Sequence, residues 1–391
     1  MIEIVEKKNC SGCNACFNIC PKNAIKMKSD KEGFQYPIID LEKCINCGAC
    51  ERVCPVINQK KKTEGRKVAI AAYSRQEENR EESSSGGIFE ELAKKIFEKD
   101  GIVYGAGFDE YLNVVHKPVK NIQELQELKG SKYVQSDTKT TFQKVKELLE
   151  EGRTILYTGT GCQIAGLKNF LKKDYTNLYT CDIICHGVPS PKIFQKYKEK
   201  IEEEIQGKTK DISFRNKANG WNQYSIQLTM KDGQEYRQLG AKDPYIQLFA
   251  QNYTLRPSCY DCKFKGLDRE ADLTLGDFWG VEKKYPKFSD DKGTSLILVH
   301  SKKGEELFEK IKNNLVYQPN CDLDFAIQNN PCIVQSVKIN PLRENFFNDF
   351  GKMEFDELSK KYLPKENHIK KFKTKVLNQL SLLKRKIIKN K

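Results

Sequence analysis

A mixed α/β body preceded by a small cysteine-rich module is the fold class predicted by three features of the sequence. The spacing Cys10-x2-Cys13-x2-Cys16-x3-Cys20-Pro21 recurs as Cys44-x2-Cys47-x2-Cys50-x3-Cys54-Pro55. Helical and strand-like periods alternate from about residue 66 to 320, and the lysine-rich stretch from Gln59 to Gly65 separates the two regions.

The body is expected to open on a strand at Val68 to Ala72. A helix follows from Ser83 to Phe97, with Ile88, Phe89, Leu92, Ile96 and Phe97 on one side. Ile102 to Phe108 is a second strand and Phe142 to Leu149 a second helix. Thr154 to Thr158 is a strand that runs into Gly159-Thr-Gly-Cys-Gln-Ile-Ala-Gly166 and another helix, and residues 178–185 form a further strand. Tyr224 to Met230 and Glu235 to Leu239, joined through Asp232-Gly233, form a hairpin.

In the repeated cysteine pattern, three thiolates within seven residues can curl round three corners of an iron–sulfur cube, while the fourth reaches the other cube. Residues 1–60 are therefore expected to form a bacterial-type ferredoxin-like module with two [4Fe–4S] clusters. Cys10, Cys13, Cys16 and Cys54 would hold one, and Cys44, Cys47, Cys50 and Cys20 the other. Zinc also uses Cys-x2-Cys pairs, but duplication of the triplet with its CysPro argues against it.

At 391 residues the chain is too long for such a module alone. The net charge of +14 is not accompanied by a nucleic-acid-binding motif, so no nucleic-acid partner is expected. No charged-then-apolar leader precedes Cys10, which with fifteen cysteines predicts a reducing cytoplasm rather than disulfides. No apolar run is long enough for a membrane span. Much of the excess charge lies in Lys365 to Lys391, where Ile369, Phe372, Val376, Leu380 and Leu383 recur at helical spacing. Residues 321–391 thus read as a basic helical tail, either docked with a solvated lysine face or bound to an anionic membrane surface or acidic partner.

Four further cysteines are dispersed: Cys162 at a predicted helix start, Cys185 at a strand end before His186-Gly187-Val188-Pro189, and the pair Cys259-Tyr-Asp-Cys262. The pair alone is open between zinc, a redox dithiol and a cluster, while the set of four at element ends suits a third metal site. Ser84-Ser-Gly-Gly87 before a helix resembles an anion cradle, or simply a cap. The loop from Gly159 to Gly166 does not satisfy G-x-G-x-x-G, so no dinucleotide fold of that kind is predicted.

Residues 84 to 108, Gly130-Ser-Lys-Tyr-Val-Gln-Ser136, Gly159 to Gly166, Cys185-His-Gly-Val-Pro-Ser-Pro191, Arg256-Pro-Ser-Cys-Tyr-Asp-Cys262, Asp272-Leu-Thr-Leu-Gly-Asp-Phe-Trp-Gly280 and Asp291-Lys-Gly-Thr-Ser295 carry a more specific signal. In this order they resemble the coenzyme F-420 hydrogenase/dehydrogenase beta-subunit family. With the ferredoxin-like head the resemblance covers roughly residues 1–320. It implies an α/β (α+β) flavoprotein body, divided into a flavin-binding part (61–150) and a part with a third cluster (151–320). Cys162, Cys185, Cys259 and Cys262 would be the ligands of that third [4Fe–4S] cluster. Ser85, Gly86, Gly87, Lys132 and Tyr133 would contact FAD, with Lys132 either countering charge on a reduced flavin or lying exposed in a loop. Gly161 departs from the pattern, standing where the family usually has proline. His186 is a candidate catalytic proton donor, the alternative being a satisfied hydrogen-bonding residue; Asp277 and Trp279 lie in family-like segments, and Cys181, Cys321 and Cys332 read as inert.

The function implied is an iron–sulfur, FAD-dependent oxidoreductase that exchanges single electrons with a ferredoxin or other one-electron carrier. Its organic two-electron substrate would be deazaflavin-like or a small metabolite, with surface-polysaccharide metabolism one setting. The rival is a non-catalytic electron-relay subunit of a larger redox complex.

Overall fold

A computed structural model describes residues 7–59 and 68–364. The amphipathic stretch from Ile369 to Leu383 and most of the lysine-rich linker lie outside the described residues. In the N-terminal module, short helices at Ala15–Ile19 and Ala49–Arg52 carry the third cysteine of each triplet, Cys16 and Cys50. Between them, β1 (Ile25–Ser29) and β2 (Gln35–Ile39) pair antiparallel.

The body contributes β3 (Val68–Ser74), β4 (Ile102–Phe108), β5 (Val114–Val119), β6 (Ile155–Thr160), β7 (Leu178–Ile183), β8 (Thr209–Asn216), β9 (Ser225–Met230), β10 (Glu235–Leu239), β11 (Leu273–Asp277), β12 (Ser295–Val299) and β13 (Leu315–Gln318). Eight of these form one sheet in the order β13-β3-β12-β11-β7-β6-β4-β5. Its centre, from β4 to β11, is parallel, and antiparallel strands flank it on both sides. Parallel neighbours need crossover connections; the helices Thr141–Glu150 and Gly161–Leu171 supply those from β4 to β6 and from β6 to β7. β3 and β12 are largely apolar and, like β7 with its buried Thr180 and Asp182, are buried along nearly their whole length, as strands covered on both faces must be. The sheet takes strands from both sides of residue 150, so residues 68–318 share one framework.

Helices Ile88–Phe97 and Lys302–Ile311 bury Leu92, Ile96, Leu307 and Ile311 in one core. The crossover helices form another, into which the N-terminal module inserts Cys13, Ala15 and Val53. A third core joins the small sheet β10-β9-β8 to helices Pro191–Ile205, Pro244–Ala250, Arg343–Phe350 and Phe355–Tyr362, and takes in Phe34 and Tyr36 of the N-terminal module. Phe346, Phe347 and Phe350, in the segment read as a tail, are buried there. Arg343 fastens that segment to the module through a bidentate pair with Glu32, at 3.1 and 2.6 Å.

Register places the thiols. Thr160 stands opposite Ile183 across β6 and β7, and Ile183 opposite Leu275 across β7 and β11. The carboxyl ends of β6 and β7 are therefore level, with that of β11 two residues further on, which is the edge where open α/β sheets gather ligands. Cys162 and Cys185 each follow two residues after such an end.

Candidate metal centres

Each N-terminal triplet must turn sharply to point three thiols inward, and the backbone shows how. Gly12 and Asn14 have φ of 69° and 63°, and Asn46 and Gly48, at the matching positions of the second repeat, have 50° and 67°. Glycine and asparagine are the residues that enter the left-handed region at least cost. Both repeats place one of each there, in opposite order.

Cys10, Cys13, Cys16 and Cys54 form one group. Burial pushes the Cys13 thiol up to about 12, and the neighbouring Cys54 and Cys10 add to the effect. Cys16 is raised by burial and by Cys13, Cys10 and Cys54. Cys20, Cys44, Cys47 and Cys50 line a separate cavity walled by Pro21, Ala24, Ile25, Ile39 and Ile45. The first group is packed against the body, while Cys47 of the second is exposed. We refer to them as the inner and outer quartets.

The four dispersed cysteines also meet. Cys162, Cys185, Cys259 and Cys262 line one cavity. Cys162 sits in the first turn of the Gly161–Leu171 helix, where Gln163 Oε1 accepts from Thr160 N at 2.9 Å and Thr160 Oγ1 lies 3.0 Å from Cys162 Sγ. Cys259 Sγ accepts from Val188 N at 3.4 Å, and Cys262 N donates to Ser336 Oγ at 2.9 Å. Burial raises all three thiols whose shift is resolved: Cys162 well above its ordinary range, Cys185 to about 12 and Cys259 to about 11. The ammonium of Lys265, bonded to the Cys185 carbonyl and to that of Cys332 at 3.0 Å, opposes the rise at Cys185 and Cys259. At Gly161 a side chain would come within 3.1 Å of Asp182 Oδ2 and 3.4 Å of Phe264 Cβ.

This cavity adjoins the inner quartet. Asn9, Ser11 and Val56 of the N-terminal module help to line it. On the helix that begins beside Cys162, Gly166 lies one turn on, and a β-carbon there would be 2.9 Å from Cys13 Sγ. Each of the three quartets is all-sulfur, the donor set of iron–sulfur centres. Among the described residues no three His, Cys, Asp or Glu side chains converge on a single-ion position.

The flavin candidates separate into distinct settings. Gly87, with φ of 80°, precedes the Ile88–Phe97 helix. A β-carbon at Gly86 would lie 2.5 Å from Ala72 O, and one at Gly87 would lie 3.1 Å from the Asn79 amide. Gly86 N already donates to Ser295 Oγ at 3.0 Å. Ser85 Oγ, by contrast, is buried with no hydrogen-bond partner, as are Thr294 Oγ1 and the Nε and Nη2 of Arg215. Arg215 pairs through Nη1 with Asp277 and lies 4.7 Å from the Tyr224 ring and 5.3 Å from that of Trp279. Trp279 stacks on Trp221 at 4.6 Å. Lys217 donates to the carbonyl of Ser85 at 3.3 Å, which ties Ser85 to this arginine centre. Tyr133 stacks on Phe249 at 5.0 Å; burial raises its phenol and Arg215 opposes the rise.

Lys132 turns its ammonium to the carbonyls of Lys129 at 2.7 Å and Glu127 at 3.3 Å, and burial draws it down to about 7. His186 lines the third thiol cavity. Its Nε2 is 2.7 Å from Asn252 Oδ1 and its Nδ1 3.6 Å from Cys332 Sγ, and burial lowers its basicity. Both ring nitrogens thus have protein partners.

Residues 9–58 match the 4Fe-4S dicluster domain family, and a second 4Fe-4S dicluster family matches residues 40–99, sharing residues 40–58 with the first. Residues 152–320 match the family described as the C-terminal part of the coenzyme F420 hydrogenase/dehydrogenase beta subunit. The chain carries that beta-subunit domain behind a dicluster ferredoxin module. Among solved structures, a chain of the xenon-derivatised F420-reducing [NiFe] hydrogenase complex from Methanosarcina barkeri is 18% identical, with a TM-score of 0.46 over 68% of this chain and 89% of that one. None of the curated proteins compared matches. An iron–sulfur electron-transfer role in a hydrogenase/dehydrogenase-like oxidoreductase follows from the two families. No helix among the described residues is long and apolar enough to cross a membrane.

The beta-subunit domain holds Cys162, Cys185, Cys259 and Cys262, together with Arg215 and both tryptophans. Sequence reasoning missed Arg215, near the end of β8, and Lys217 and Trp221 in the loop that leads to β9, all in Phe214-Arg-Asn-Lys-Ala-Asn-Gly-Trp221. A tryptophan among Asn and Gly in a loop was the available signal, since such a ring is seldom left in a turn without a packing or binding role.

Proposed function

We propose that the chain is an iron–sulfur flavoprotein oxidoreductase that exchanges single electrons with a ferredoxin or equivalent carrier and oxidises or reduces an organic two-electron substrate. That substrate would be a deazaflavin-like molecule or a small metabolite. The observation that carries the reading is the continuity of the thiol quartets: the third cavity is partly walled by the ferredoxin module, and one helix touches both it and Cys13. In this reading Cys162, Cys185, Cys259 and Cys262 hold a third [4Fe–4S] cluster, next in line after the outer and inner ones.

For the flavin, the buried donors without partners on Ser85, Thr294 and Arg215 fit an acceptor-rich, anionic ligand, because buried polar groups in native proteins are nearly always paired. FAD bound there would supply the conversion between one-electron and two-electron transfer. Arg215 would hold negative charge, and the Trp221–Trp279 stack would offer an aromatic wall. Lys132, drawn to about 7, can take up or release a proton near neutrality.

One observation favours the relay alternative. The space at Gly86 and Gly87 is filled by the protein's own atoms, so these glycines have a structural reason to be there without any ligand.

Flavin titration of the anaerobic, cluster-loaded protein distinguishes the two. Stoichiometric FAD binding that Arg215→Ala abolishes, with flavin reduction on addition of reduced ferredoxin, supports the catalytic reading. A fully loaded protein that binds no FAD and passes electrons only to another iron–sulfur protein would establish the relay.

A further inference from the structure

Arg256 is fully buried, yet every acceptor given to its guanidinium is neutral. Nε donates to Cys10 O at 2.6 Å, Nη1 to Gln135 Oε1 at 3.0 Å and Nη2 to Gln35 O at 2.9 Å. The Tyr36 and Phe34 rings lie 4.4 and 5.5 Å away. The nearby carboxylates are engaged elsewhere. Glu32 pairs with Arg343, Asp30 accepts from the backbone N–H groups of Glu32 and Phe34, and Asp137 accepts from Asn14 and Gln35. A buried cation without an anion is costly, so one is expected to face it. The guanidinium presses on the loop between Cys10 and Cys13, where a β-carbon at Gly12 would lie 2.8 Å from Nη1.

The main chain of the same residue reaches the third quartet. Arg256 N donates to Val188 O at 3.0 Å, Cys259 N donates to Arg256 O at 2.9 Å, and Val188 N donates to Cys259 Sγ. Arg256 therefore joins the walls of two thiol groups.

We propose that Arg256 is a positioning residue that raises the reduction potential of the cluster held by Cys10, Cys13, Cys16 and Cys54, drawing electrons inward from the outer quartet. The proposal rests on both N-terminal quartets holding [4Fe–4S] clusters. Four thiolates round such a cube leave it net negative, and reduction by one electron adds to that charge. Burial makes the added charge costly; a fixed guanidinium against a ligand's own carbonyl offsets the cost. In the transfer the outer cluster loses one electron and the inner gains it, with no bond made or broken.

Redox titration of the full chain, monitored by EPR under anaerobic conditions, tests the proposal with three variants. Arg256→Gln removes the charge, Arg256→Lys keeps it, and Gln135→Glu places a carboxylate against the guanidinium without removing it. Arg256→Gln and Gln135→Glu should each shift the electron distribution between the N-terminal clusters at least tenfold toward the outer one, about 59 mV for a one-electron couple. Arg256→Lys should remain near wild type. An unchanged distribution in iron-replete Arg256→Gln, or an equal shift in Arg256→Lys, would overturn the proposal. If Arg256→Gln fails to load iron, Gln135→Glu decides alone: no shift there overturns the proposal. A wild-type protein with no N-terminal cluster signals would instead remove the reading on which it rests.

Discussion

The Cys13 thiol packs directly on the backbone of Gly166, and a β-carbon at that glycine would lie 2.9 Å from the Cys13 Sγ and 3.0 Å from its Cβ. The contact joins the ferredoxin module to the crossover helix that starts beside Cys162. A side chain at residue 166 must therefore displace a thiol of the inner quartet. Gly166→Val should lower N-terminal iron content or change the EPR signal of the inner cluster, and Gly166→Ala should do so more weakly. Wild-type iron and spectra in Gly166→Val would show that the contact does not constrain the quartet.

Arg343 fixes the helix Arg343–Phe350 to the ferredoxin module through Glu32, and also donates to Leu255 O at 2.8 Å. Hydrogen bonds to charged groups contribute about 1.5–3 kcal/mol each, so Arg343→Ala should destabilise the protein by at least about that much. Urea denaturation should show the midpoint falling, with Glu32→Gln producing a smaller fall because the Leu255 bonds survive. Equal midpoints in wild type and Arg343→Ala would mean that module and helix do not depend on each other.

The ammonium of Lys217 is drawn from its ordinary 10.5 to about 8, chiefly by burial and then by Arg80 and Arg215. Below pH about 8 the folded and unfolded forms are both protonated, and the folded form bears the full burial penalty. From about 8 to 10.5 the unfolded chain holds more proton, so this group makes stability rise with pH across that window. Lys217→Met should flatten the rise in a denaturation series. An identical slope in wild type and variant would place the titration elsewhere.

Local patterns were legible in the sequence and distant convergence was not. Ile102 to Phe108 is a strand at the expected residues, and the expected hairpin pairs Glu235 with Thr229 across its turn. The helix expected from Ser83 starts at Ile88, because the serine-glycine stretch becomes a turn packed on β3 and β12. β5 was not foreseen; it carries Pro118, which an edge strand tolerates, and it forms the edge of the sheet. The segment after residue 321 reads as helical and does form helices, but its charge hid their burial: Phe346, Phe347 and Phe350 recur at helical spacing and lie in the core. The ferredoxin quartets could be read from spacing because each triplet is local. For the third, the sequence offered four cysteines at element ends and resemblance supplied the cluster, since sheet register, not sequence proximity, brings Cys162 and Cys185 level. Arg215 gave no signal and Arg256 appeared only as the first residue of a family-like segment, because periodicity and composition do not mark a buried arginine.

Iron analysis of the anaerobically reconstituted full chain tests the third centre most directly, with Cys262→Ser beside it and Cys321→Ser as the control in a separate core. Three [4Fe–4S] clusters require about twelve irons per chain, falling to about eight in Cys262→Ser and unchanged in Cys321→Ser. A fully occupied wild type with about eight irons, matched by Cys262→Ser, would leave the ferredoxin pair standing and contradict the third cluster.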